Sequence, residues 1–96
     1  MVKMELEGVK ASLVPVLRRN GVKRAAVFGS FVRGEQQEGS DLDILVEFEG
    51  EKSLLDLVGL KIELEEALGR RVDLLTYNSL HPLLKDRILK EQRVIL

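Results

Sequence analysis

The sequence predicts a small α/β fold of the α+β kind, a mixed β-sheet with helices packed on it, and three observations predict it. Three short runs read as strands: Val22 to Phe28, Asp41 to Phe48 and Arg70 to Thr76. In the second, Asp41, Asp43 and Leu45 alternate with Leu42, Ile44 and Val46, the period of two that separates the faces of a strand. The segments before, between and after these runs carry apolar residues three or four apart, the helical spacing.

The first helix is expected over Val2 to Asn20, with Val2, Met4, Leu6, Val9, Leu13, Val16 and Leu17 on its apolar side. Pro15 removes one N–H and crowds the carbonyl of Ala11, which predicts a kink or a fresh start there. Asn20-Gly21 is the expected C-terminal cap. Val22 to Phe28 then reads as a buried strand, with Lys23 and Arg24 on the solvent side at its start. After Gly29 the hydroxyl of Ser30 is placed to cap a short helix over Phe31 to Gly34, and Gly34 suits a positive φ. Glu35 to Gly39 is a polar loop. Ser53 and Asp56 form a capping box for a helix from Leu54 to Leu68, closed by Gly69. Its expected buried side is Leu54, Leu57, Val58, Leu64, Ala67 and Leu68, with Lys61 and Glu65 as an exposed i,i+4 pair.

That helix is long enough to be a crossover, so the second and third strands are expected to be parallel. Asp73 then lies beside Asp43. Gly29-Ser30, at the end of the first strand, reaches the same rim only if the first two strands are antiparallel. A mixed sheet meets both conditions. A last helix is expected over Leu80 to Glu91, started by His81-Pro82. Val94-Ile95-Leu96 supplies an edge strand or a docking segment.

Ninety-six residues suit one domain spanning 1–96, because a chain this short has no room for two cores. With 45% hydrophobic and 32% charged residues the composition is that of a soluble globular protein. No apolar run approaches a membrane span, and the first ten residues lack a signal-peptide core, so a cytoplasmic protein is expected. The absence of cysteine excludes a disulfide framework, zinc–thiolate sites and a thiol nucleophile. A net charge of −1 argues against binding nucleic acid through its backbone.

The chemistry concentrates in Val27 to Phe48, VFGSFVRGEQQEGSDLDILVEF. Asp41 and Asp43 share one face of a strand, with Cα atoms ~6–7 Å apart. Two carboxylates so placed repel unless a cation lies between them, and a hard ion such as Mg²⁺ or Mn²⁺ suits oxygen ligands. Gly29-Ser30 offers backbone N–H groups without an obstructing Cβ and a hydroxyl beside them, a corner that can cradle phosphate. Arg33 either contacts phosphate or pairs with a nearby carboxylate. Ser40 supports the turn before Asp41. Tyr77 is either an exposed hydroxyl near the site or an edge-packing residue, and His81 suits a helix start better than general-base chemistry.

Gly29-Ser30-Phe31-Val32-Arg33-Gly34 followed by Ser40-Asp41-Leu42-Asp43 resembles the GS-x-x-RG … SD-x-D signature of the DNA polymerase beta-type nucleotidyltransferases, and most nearly their minimal nucleotidyltransferase (MNT) branch. The resemblance implies a palm-like fold. It implies two Mg²⁺ ions, or Mn²⁺, held by Asp41 and Asp43 with Asp73 as third carboxylate. It also implies that Gly29 and Ser30 hold the phosphates of ATP. MNT proteins resemble the antitoxin half of modules whose other half is a helical HEPN ribonuclease, so the implied reaction is AMP transfer to a tyrosine hydroxyl of that toxin. Larger members of the superfamily use a second domain over the site, and a partner chain or second copy is expected to take that place here. Two other readings stand beside this one: an antitoxin that acts by binding alone, and an enzyme modifying a small molecule.

Overall fold

The computed structural model describes residues 5–35 and 41–96. Val2, Met4, the loop over 36–39 and Ser40 lie outside the described residues. The order of elements is α1 (Leu6–Arg19), β1 (Val22–Phe28), α2 (Ser30–Arg33), β2 (Leu42–Phe48), α3 (Leu54–Leu68), β3 (Val72–Thr76), a 3₁₀ turn (Tyr77–Ser79), α4 (Pro82–Glu91) and β4 (Arg93–Val94).

The strands lie in the order β3-β2-β1-β4. β1 is antiparallel to β2, β2 is parallel to β3, and β4 pairs antiparallel with Ala26 and Val27 of β1. The sheet is therefore mixed, as the positions of Gly29 and Asp73 required. The C-terminal residues take the edge-strand alternative: β4 pairs with β1, and the N–H groups of Ile95 and Leu96 donate to the Ala25 carbonyl. A register shift between Val22 and Arg24 puts Lys23 and Arg24 side by side in solvent.

Side-chain alternation divides the apolar residues between the two faces. Ala25, Val27, Leu42, Ile44, Val46, Val72 and Leu74 pack against Val9, Leu13, Val16 and Leu17 of α1 and Leu60 and Leu64 of α3. Phe28 and Leu45 face the other way, under Tyr77, Leu80 and Ile88. Among the described residues no helix is long and apolar enough to cross a membrane.

Two expectations about helices need correction. The fresh start expected at Pro15 does not occur, and α1 is one helix from Leu6 to Arg19. Both Pro15 and Ala11 are exposed, so water can solvate the carbonyl that Pro15 leaves without a donor, while four side chains buried on the opposite side hold the helix. In α3 the buried stripe is Leu60 and Leu64, flanked by partly buried Leu57 and Leu68. Leu54 and Val58 are instead 75% and 46% exposed, and Ala67 also faces solvent. The segment is apolar almost all round, so its period does not single out one stripe, and the position of α1 chooses it. Glu65 turns away from the expected pairing with Lys61 and accepts the Val72 N–H at 2.9 Å. The ends of α3 form as expected. Ser53 and Asp56 close a capping box, and Gly69 adopts the left-handed conformation.

Candidate active site

The carboxylates gather at one rim because of register. On β2, Asp43 stands opposite Phe28 of β1 on one side and Asp73 of β3 on the other. It has the strand parity of Leu45, so it lies on the α4 side of the sheet, while Leu42 and Ile44 go into the core against α1 and α3. Burial is the largest influence on Asp43, and the charge of Asp73, a hydrogen bond with it and the charge of Asp41 add to it. Together they push the Asp43 carboxyl up to about 6, against the opposing pull of Arg33.

Asp41, just before β2, pairs with Arg71, with 3.2 Å between Oδ1 and Nε. Both side chains are well exposed, so this pair holds Asp41 weakly. Among the described residues, no three His, Cys, Asp or Glu side chains are gathered closely enough to hold a metal ion as they stand. The donor set does fit a hard divalent cation. Asp43 and Asp73 are oxygen donors side by side on neighbouring strands, and rotation of an exposed side chain would let Asp41 leave Arg71.

Gly29 is fixed by close approach. Its φ is 78°, and a Cβ there would run into the Asp43 carboxylate, with the Asp43 Cγ only 2.9 Å away. The turn and the acid therefore occupy one corner. Ser30 sits next to it but does not cap α2 as expected. Gly29 holds the cap position, no side chain caps the helix, and Ser30 begins it. Gly34 closes α2 in the left-handed region, φ 73°.

Arg33 pairs with two carboxylates. Its Nε donates to Glu35 at 2.8 Å and its Nη1 to Glu91 at 2.6 Å. Glu91, the last residue of α4, also accepts the Gly29 N–H on its second oxygen at 3.1 Å. Burial works against the charge of Glu91, but the bonds from Arg33 and the Gly29 amide outweigh it and hold its pKa below the ordinary glutamate value. Sequence reasoning missed Glu91, which is 62 residues from Gly29. One signal was present, since an acid in the last position of a helix opposes the helix dipole.

Tyr77 and His81 fall elsewhere. The Tyr77 hydroxyl donates to Gln92 at 2.8 Å under a largely buried ring, with the Arg24 guanidinium 4.0 Å from the ring centre, so Tyr77 is the edge-packing residue. His81 caps α4, its Nδ1 accepting from the Leu83 N–H at 3.1 Å.

Residues 11–95 match the model of the nucleotidyltransferase domain family. The chain is 64% identical over 88 residues to a candidate protein adenylyltransferase of Methanocaldococcus jannaschii, covering 92% of this chain and 95% of that one. It is 46% identical over 88 residues to the protein adenylyltransferase MntA of Thermococcus cleftensis, covering 91% and 89%. Among solved structures it superimposes with a TM-score of 0.79 and 25% identity on a chain from a crystal structure of a toxin–antitoxin with AMP-PNP, over 91% of this chain and 72% of that one.

Proposed function

The chain belongs to the nucleotidyltransferase domain family and is an enzyme of that class, and from that premise we propose that it moves AMP from ATP onto a tyrosine hydroxyl of a HEPN toxin, silencing it. The observation that carries the reading is the corner where Asp43, Asp73 and Gly29 meet at one sheet rim. Its support outside the chain is that relatives similar over nearly their whole length are named for protein adenylyl transfer. A similar chain occurs in a toxin–antitoxin structure with AMP-PNP.

Asp41, Asp43 and Asp73 would hold Mg²⁺, two ions by the family resemblance, and the metal would neutralise triphosphate charge and lower the pKa of the acceptor hydroxyl. Gly29 and Ser30 seat the β and γ phosphates, and Arg33 adds a guanidinium to that seat. With the triphosphate so anchored, the α-phosphorus faces the open rim, and the partner delivers the tyrosine in line. The tyrosine oxygen forms a bond to the α-phosphorus, the bond to the oxygen bridging to the β-phosphorus breaks, and pyrophosphate leaves with the electron pair. The phenolic proton passes to solvent or to a rim carboxylate.

Mass spectrometry of the toxin after incubation with this protein, ATP and Mg²⁺ tests the reading. The expected result is the mass of AMP, once or several times, on a toxin tyrosine, and none with Asp43→Ala. A toxin silenced equally well by the Asp43→Ala protein, with no adduct, would replace transfer by neutralisation through binding alone.

A further inference from the structure

We propose that Glu91 is an intramolecular competitor for the phosphate seat, which ATP must displace before it can bind productively. This rests on the nucleotide-binding reading of Gly29, Ser30 and Arg33, and it adds a residue that the sequence pattern does not contain.

The geometry carries it. The Glu91 carboxylate spans two donors, with one oxygen on the Gly29 N–H at 3.1 Å and the other on Arg33 Nη1 at 2.6 Å. A carboxylate and a phosphate edge present the same pair of anionic acceptor oxygens, and a backbone amide beside a guanidinium suits both. Each of these donor hydrogens serves one anion at a time. Glu91 is also well enclosed, with its side chain 13% exposed against 36% for Arg33 and 58% for Glu35. It therefore fills the inner side of the guanidinium, while Glu35 rests on the outer one.

Local preference does not explain an acid there. Glu91 ends α4, where the helix dipole disfavours negative charge, and it lies on the same rim as Asp43, whose own charge is already disfavoured. What holds it is the pair of donors. When a triphosphate arrives, Glu91 can leave by rotating its own side chain, because β4 keeps the following backbone paired to β1. Displacement costs nucleotide affinity, and in return the Gly29 N–H and the Arg33 guanidinium keep a hydrogen-bond partner when no nucleotide is present.

The experiment is ATP titration by calorimetry, with Mg²⁺, of the full chain and of Glu91→Gln, which keeps the shape but not the charge. If the seated form holds about nine molecules in ten, removing the competitor tightens ATP binding about tenfold. Inorganic tripolyphosphate, which reaches only the phosphate seat, tightens by the same factor. A second measurement covers a variant that folds poorly: in the wild-type protein, saturating ATP shifts the Glu91 carboxyl carbon resonance to that of a solvent-exposed glutamate. Equal or weaker ATP binding by Glu91→Gln, or a Glu91 resonance unmoved by bound ATP, overturns the proposal and makes Glu91 a structural brace. ATP binding to neither protein would instead overturn the nucleotide-binding reading on which the proposal rests.

Discussion

The two faces of the sheet divide the labour unequally. The face under α1 and α3 is closed by two helices of 14 and 15 residues, and fifteen buried side chains meet there. The opposite face has one helix of 10 residues and five buried side chains, and it leaves the start of β2 and β3 uncovered, where Asp41, Asp43 and Asp73 stand. One face holds the domain together, and the other can therefore tolerate carboxylates that repel one another. Such a division is needed in a domain of this size, because a site built from repelling charges lowers stability and the remaining core must offset it.

The largest effects that would break this contrast are expected on the closed face. Leu64→Ala removes a fully buried side chain from the α3 stripe and should cost roughly 2–5 kcal/mol in urea unfolding. The equivalent change at Leu54, 75% exposed on the same helix, should cost no more than about 0.5 kcal/mol. Equal losses at the two positions would mean that the closed face is not the source of stability.

Gly29→Ala should come next, on the open face. It meets both the Asp43 carboxylate and a positive φ, so a loss of roughly 1–3 kcal/mol is expected, accompanied by loss of ATP binding. A stable variant with normal ATP affinity would remove Gly29 from the corner.

Asp43→Asn should run in the opposite direction and gain stability. The folded-state pKa of Asp43 lies at about 6, above the ordinary aspartate value of 3.8, so between those values the folded protein holds a proton that the unfolded chain has lost. Stability is therefore lost as pH rises from the unfolded value through about 6. Without added metal, the melting temperature of Asp43→Asn should exceed that of the parent at pH 8, and the gain should shrink towards pH 4. Added Mg²⁺ should reverse the order by stabilising only the parent. A gain independent of pH would show that repulsion at the rim is not the cause.

At the rim the smallest effect belongs to Arg71→Ala. Its ion pair with Asp41 is exposed on both sides, so stability should change by less than about 1 kcal/mol, measured by thermal unfolding. Metal affinity should hold or improve, since Asp41 then has one competitor fewer. A large loss of metal affinity would make Arg71 part of the site.

By itself the sequence determined the elements and the acidic rim. Val22–Phe28 and Leu54–Leu68 form with the bounds expected, because Asn20-Gly21, Gly29, Ser53 with Asp56 and Gly69 are local stop and start signals that act within a few residues. The mixed sheet was legible because only one combination of strand directions brings Gly29 and Asp73 to Asp43. Tertiary structure alone decided which stripe of α3 is buried, that α1 continues through Pro15, and that Glu91 reaches Gly29 and Arg33. These depend on where an element lands against a distant neighbour. A helix apolar almost all round has no preferred stripe until α1 covers one, and a carboxylate 62 residues away has no partner in the sequence until α4 docks beneath the sheet.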